Sequence, residues 1–211
     1  MYAVLRDEEM AKSFEFMSNS DVFGAYVKQY VDFEQAELDV LWSKSVQRTY
    51  LKNQYLVQQG DLCNSVSFII SGCTRTFYAD GDGQEHIVSF AIENWWTADL
   101  GSFITQSPAD YNVQCIEATR VVQFSCANLE ELYQEVPKME RLFRMIVERA
   151  YVASQKRLIQ NYSLEAKERY VNFVNQYPEI TRRVPQYMIA SYLGITKEFL
   201  SKIKSQLAQS T

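Results

Sequence analysis

Between Asp21 and Ser43 the apolar positions fall at helical intervals: Val22, Phe23, Tyr26, Val27 and Tyr30, then Phe33, Ala36, Leu38, Leu41 and Trp42. Side chains three and four apart share a helical face, so the stretch predicts amphipathic helix. From Val46 the period moves toward two. QRTYLKNQYLVQQGD, SVSFIISGCTRTFYA, QEHIVSFAI, YNVQCIEA and TRVVQFS read as strands rich in Val, Ile, Phe and Tyr. They are broken by Gly60-Asp61, Ser71-Gly72 and the run Asp80-Gly81-Asp82-Gly83, which predicts a hairpin turn. Short strands at regular spacing predict a small sandwich or barrel. After Ser125 the helical period returns, first in a short helix over 128–134 that ends near Pro137. A long helix follows from about Lys138 to Asn161 without Gly or Pro, about 36 Å at 1.5 Å per residue. Another covers 164–176, with Tyr170, Phe173 and Val174 inward, and stops at Pro178. Residues 1–20 carry little pattern and are expected to form a frayed end or a short helical arm.

The long helix is apolar on more than one face through Leu142, Phe143, Met145, Ile146, Val147, Ala150, Val152 and Ala153. Such a helix has two surfaces to bury. One suits its own β domain. The other suits a partner helix, since Met145, Val152 and Ile159 recur every seven residues as in a coiled-coil seam. The pattern predicts a two-fold homodimer seamed along roughly 142–159; the alternative is a helix packed only inside its own chain.

The stretch from Pro185 to Leu207, PQYMIASYLGITKEFLSKIKSQL, has a more specific pattern. Proline suits a helix start. Ile189, Ala190 and Leu193 share one face, and Gly194 stands where a sharp exit wants φ > 0. Thr196 can cap a second helix in which Phe199, Leu200, Ile203 and Leu207 repeat at helical spacing. Counting Gln186 as position one, Ala190 is fifth, Gly194 ninth, Leu200 fifteenth and Ile203 eighteenth. A small fifth residue lets two helices cross closely, the ninth makes the turn, and the last two fill the angle between them. These spacings predict a helix-turn-helix. On its second helix Lys197, Glu198, Ser201, Lys202 and Lys204 are the polar residues, with Thr196 at the start. In a major groove Lys can donate to guanine and Glu can accept from cytosine. Arg182 and Arg183, just upstream, are candidates for phosphate contacts.

The net charge of −5 argues against a polyanionic partner until its distribution is read. Up to Pro137 there are 8 Lys and Arg against 20 Asp and Glu, a balance of −12; from Lys138 onward there are 13 against 6, or +7. That asymmetry predicts an acidic sensor or scaffold joined to a part that binds nucleic acid. Cys63, Cys73, Cys115 and Cys126 form no CxxC or metal-finger spacing and are expected as reduced thiols in or near a core. The acidic N-terminus lacks an apolar run, and no stretch approaches eighteen apolar residues. The expectation is a soluble, cytoplasmic protein without a membrane partner.

Small β-barrel, long connecting helix and C-terminal helix-turn-helix together resemble the Crp–Fnr family of bacterial transcription regulators, over about residues 25–207. Val57-x-x-Gly60-Asp61, then Phe68, Ile70 and Gly72, is similar to the family's glycine-plus-acid turn and following strand. Lys197, Glu198 and Lys202 match the family's Arg-Glu-x-x-x-Arg triplet, with lysine for both arginines, and the resemblance implies contacts to bases and flanking phosphate. A lysine is a point donor and not a bidentate fork, so the usual target sequence does not carry over. Nucleotide-binding relatives hold a phosphate with Gly-Glu-Leu, a short helix and Arg-Ser/Thr-Ala. Here Ala98 and Asp99 replace the Gly-Glu before Leu100, and Tyr111 and Asn112 replace the arginine and the hydroxyl residue. An unpaired buried phosphate is prohibitive, so the resemblance with these departures predicts no cyclic-nucleotide binding. Trp95, Trp96, Asp99, Leu100, Tyr111 and Asn112 are the candidate lining of a pocket for another effector, with core packing the alternative for the tryptophans. No cysteine precedes Cys63, and the lone His86 sits in an alternating strand, so neither an iron–sulfur cluster nor haem is implied.

The resemblance implies an α+β fold: a double-stranded β-helix (cupin-like jelly roll) sensor over 1–137, a connecting and dimerisation helix over 138–161, and a helix-turn-helix domain over 162–211. Implied partners are double-stranded DNA, a second copy of the chain, an unidentified small-molecule effector and RNA polymerase, with no cofactor or metal. Two rivals come from other classes. A metal-dependent barrel enzyme needs two or three histidines, which one His86 cannot supply. A nucleotide-binding module acting through protein contacts would leave the +7 C-terminal part unexplained.

Overall fold

A computed structural model describes residues 18–209; the expected N-terminal arm lies mostly outside them. The first helical stretch is two helices, α1 (Asn19–Lys28) and α2 (Gln35–Ser43). Ser18 caps α1 through a capping box with Asp21, and Glu34 starts α2 through another with Glu37. Strands β1 (Val46–Tyr50) and β2 (Tyr55–Val57) are separated by a turn in which Asn53 takes φ 69°. Then come β3 (Ser65–Ser71), β4 (Thr74–Ala79), β5 (Glu85–Ala91) and the short β6 (Trp96–Thr97). A one-and-a-half-turn helix α3 (Leu100–Thr105) precedes β7 (Asn112–Cys115) and β8 (Thr119–Ser125). Two four-stranded antiparallel sheets result, ordered β1-β8-β3-β6 and β2-β7-β4-β5. This is the expected jelly-roll arrangement.

Alternation along β3 sorts its side chains. Val66, Phe68 and Ile70 join the main core, which takes Phe23 and Val27 from α1 and Leu41 from α2. Ile69 packs instead with Val121 of β8 and Ala91 of β5, tying the sheets together. Ser67 and Gln123 are also buried and satisfy each other by a 2.9 Å hydrogen bond.

Gly72 makes the break between β3 and β4 at φ +111°. A Cβ there would lie 2.6 Å from Thr119 Cα and 2.7 Å from the Ala118 carbonyl oxygen, both backbone atoms that cannot yield cheaply. Gly60 also has positive φ, +91°, but a Cβ on it meets nothing within 4 Å. Gly72→Ala is therefore expected to lose at least about 3 kcal/mol, and Gly60→Ala about 1–2 kcal/mol of backbone strain alone. Thermal unfolding of the pair side by side checks this; equal shifts would show that crowding at Gly72 is not the reason for its glycine.

The C-terminal part is helical: α4 (Cys126–Glu135), α5 (Pro137–Ser163), α6 (Ala166–Gln176), α7 (Pro178–Arg183), α8 (Gln186–Tyr192) and α9 (Lys197–Ala208). Helices α3 and α7, each only six residues long, carry no full apolar repeat that would mark them in the sequence. The N-terminal half of α5 belongs to the sensor core, with Met139 and Leu142 buried and Phe143, Met145 and Ile146 against it. A second core crosses between the two parts of the molecule. Cys73, Phe77, Ile87, Phe90 and Ile116 of the sheet region pack with Tyr170, Phe173, Ile180, Val184, Ile189 and Leu200. Among the described residues no helix is long and apolar enough to cross a membrane.

Candidate nucleic-acid interface

Helices α8 and α9 form the predicted turn. Pro185 stands at the N-cap of α8, one residue earlier than a first helical position. Gly194 has φ +67°, as a sharp helix exit requires. Ala190 is buried, so the two helices cross with only a methyl group between them at this point. Thr196 caps α9, its Oγ1 accepting from the Phe199 N–H at 3.2 Å. Leu200 and Ile203 face the second core, with Leu207 partly buried beside them. Lys197, Glu198, Ser201 and Lys202 are exposed and Lys204 is half-buried. The three lysines make no ion pair among the described residues, so their charge is open to a ligand. At 1.5 Å per residue the twelve-residue α9 is about 18 Å long, of the size that enters a major groove.

Phe199 departs from the expected apolar face. It is 47% exposed and belongs to neither side's core. Tyr187, near the start of α8, is also exposed.

The two arginines part company. Arg182 is exposed and pairs with Glu179, 2.7 Å away and three residues back. Arg183 points into the sensor: its guanidinium takes both carboxylate oxygens of Glu93, at 2.7 and 3.0 Å, and pairs with Glu117 as well. Its side chain is 21% exposed. In this arrangement it clamps two domains and is not presented to a phosphate. More contacts run along the free edge of β5. Ser191 Oγ donates to the Glu85 carbonyl at 3.1 Å and accepts from the Ile87 N–H at 3.0 Å, in place of a neighbouring strand. Arg157 of α5 donates to the carbonyls of Val88 and Tyr192 and lies 3.9 Å from the centre of the Tyr192 ring. Burial holds its pKa below the ordinary arginine value. Phe90 of β5 meets the rings of Phe173 and Tyr192.

In the sensor, the six candidate pocket residues have different surroundings. Asp99 is buried as the N-cap of α3, one oxygen accepting from Ser102 N at 3.0 Å. Its other oxygen accepts from the N–H groups of Asp110 and Tyr111 at 2.8 and 3.0 Å. The carboxylate thus takes backbone donors that close the cassette on itself. Asn112 accepts from Gln59 N, and Leu100 packs on the main core. Trp96 sits among Phe23, Phe68, Phe124 and Phe143, at ring-centroid separations of 5.5–6.2 Å. Trp95 stands edge-on to Tyr177 of the C-terminal part, 5.8 Å away. Two surface clefts lie elsewhere, one beside β1 and β2 with Arg48, Tyr50 and Tyr55, another of about 290 Å³ among Arg157, Asn161, Arg169 and Ser191 to Gly194.

The four cysteines are free, and burial pushes the Cys73 thiol up to about 12. His86 is exposed on β5, 2.7 Å from Asp80. Among the described residues no group of three His, Cys, Asp or Glu is placed to hold a metal ion.

Along α5 the apolar positions that leave the sensor core are Tyr151, Val152, Leu158, Ile159 and Tyr162, all exposed, the last at 85%. At 100° per residue they span about a third of the circumference, a stripe on the C-terminal half of the helix. Leu142 and Met145, at the start of the predicted seam, face the sensor core instead.

The structure thus joins a jelly roll with a helical cassette to a long helix and a helix-turn-helix. Residues 47–136 match the cyclic nucleotide-binding domain family. The chain is 25% identical over 173 residues to the transcriptional activator protein Anr of Pseudomonas protegens, covering 77% of this chain and 70% of that protein. Among solved structures it is similar in fold to the c-di-GMP responsive global regulator CLP of Xanthomonas campestris, with a TM-score of 0.70, 14% identity, and coverage of 84% of this chain and 93% of that one. FixK2 of Bradyrhizobium japonicum gives a TM-score of 0.69 at 17% identity, over 79% and 85% of the respective chains. These likenesses support a regulator of the Crp–Fnr type.

Proposed function

We propose that the protein is a dimeric, sequence-specific DNA-binding regulator whose sensor domain works without cyclic AMP. The observation that carries the DNA reading is α9, whose exposed Lys197, Glu198, Ser201 and Lys202 stand on a buried Leu200–Ile203 base. Two-fold symmetry is supported by the exposed stripe on α5, which would place two reading helices for two half-sites. Independence from cyclic AMP is supported by Tyr111 in place of a phosphate-binding arginine, and by the Asp110 and Tyr111 N–H groups being already taken up by the Asp99 carboxylate. RNA polymerase and an effector of other chemistry remain natural partners for such a regulator.

Selection from a random DNA pool, with and without cyclic AMP, tests the reading. The wild type is expected to enrich one two-fold motif, the same in both arms. Lys197→Ala and Glu198→Ala are expected to relax one position of each half-site, each at about 1–3 kcal/mol. If both variants recover the wild-type motif, α9 does not read bases. If cyclic AMP is needed for any enrichment, the sensor reading fails while the DNA reading stands.

A further inference from the structure

We propose that Phe199 is a specificity-determining residue that reads the C5-methyl group of a thymine in each half-site. The inference rests on the reading of α9 given above. Phe199 is 47% exposed in the first turn of α9, while Leu200, Ile203 and Leu207 make the helix's contact with the second core. Its backbone is fixed, because its N–H is the one that Thr196 caps. At 100° per residue its side chain leaves the helix about 60° from Lys202 and about 100° from Glu198, so it flanks the polar reading face. Side chains on a helix lean toward its N-terminus, and the N-terminal half of a reading helix is the part that enters the groove. The ring is therefore carried toward the bases at the edge of the polar face, next to Lys202.

Within the major groove a thymine shows one apolar feature, its methyl group, and a phenylalanine is among the side chains that can contact it. Lysine and glutamate account for guanine and cytosine and leave A·T pairs unread in the earlier scheme. An exposed ring beside them supplies the missing discrimination.

The experiment uses the full-length protein and the motif selected by the wild type, with each thymine replaced in turn by deoxyuridine, which lacks only the methyl. From the transfer free energy of one methyl-sized group, wild-type affinity should fall about fourfold at one position of a half-site and about fifteenfold with both half-sites changed. Phe199→Ala should bind the thymine and uracil sites equally at that position, and Phe199→Leu should keep part of the difference. Circular dichroism confirms that the variants are folded. Uracil without effect at every position in the wild type overturns the assignment, as does a Phe199→Ala protein with undiminished thymine preference. A Phe199→Ala protein that changes its sedimentation and not its DNA preference also overturns it, giving the ring to a protein contact. A wild type that selects no motif overturns the DNA reading itself.

Discussion

Val152→Glu with Ile159→Glu is expected to yield a folded monomer that has lost nearly all operator affinity. Both residues lie on α5 seven apart, and both are exposed in the single chain. In a monomer the change is a surface substitution, within about 0.5 kcal/mol, and glutamate is the better helix former at both sites. In a dimer seamed there, two carboxylates from each protomer meet in a low-dielectric contact, where like charges are strongly repulsive. Operator binding falls with the dimer, since two linked modules gain a factor of about 10²–10⁴ over one. Sedimentation equilibrium and a binding titration on the selected site measure both effects. Persistence of the dimer places the seam elsewhere. Met145→Glu is not an equivalent test, because Met145 packs on its own sensor core and its loss would damage that domain.

A seven-residue repeat runs through Met145, Val152 and Ile159 alike, yet the sensor covers the first and leaves the other two bare. Periodicity identifies apolar faces without saying which neighbour covers each. Phe199 illustrates the same limit: it lies about 100° from Leu200, at the edge of an apolar stripe, and only packing decides its side. The turn itself was legible, because Ala190, Gly194, Thr196, Leu200 and Ile203 each answer a local geometric need. The two-helix break after Lys28 was hidden by Glu34, a poor N-cap by type that is sustained by its reciprocal bond with Glu37. The sensor's departures from a phosphate site were visible residue by residue. That Asp99 itself takes the Asp110 and Tyr111 donors was not, since a bend over eleven residues has to be folded to be seen. Arg183 was placed by sequence beside the reading helix. Its partners lie 90 and 66 residues away, beyond any local pattern.

Arg183→Ala is expected to lower thermal stability and to leave the DNA motif as it was. Arg183 holds Glu93 by two hydrogen bonds and pairs with Glu117; Glu93 also accepts from the Gly72 N–H at 2.8 Å. Removing the cation strands two carboxylates, of which Glu93 is largely buried at 22% side-chain exposure. Breaking a fully buried pair costs about 3–5 kcal/mol. Partial solvent access brings the expectation here to about 2–3 kcal/mol, or roughly 5–10 °C for a chain of this size. Glu93→Gln in the same protein should recover part of that loss by removing the stranded charge. Burial alone would raise the Glu93 pKa, but Arg183 and the Gly72 N–H outweigh it and hold the value below the ordinary 4.5. A carboxylate with a lowered folded pKa contributes stability that is complete above its unfolded value and is lost as pH falls through the folded one. The wild type should therefore lose this contribution below about pH 4.5, and Arg183→Ala should show a shallower acid slope there. Salt separates the clamp from a phosphate contact. A lost phosphate contact would flatten the salt dependence of DNA binding by about one unit per contact and leave the melting temperature alone. An Arg183→Ala protein with wild-type melting and a flattened salt slope would return this arginine to the DNA and leave the docking of the two domains to Ser191, Arg157 and the aromatic contact of Phe90.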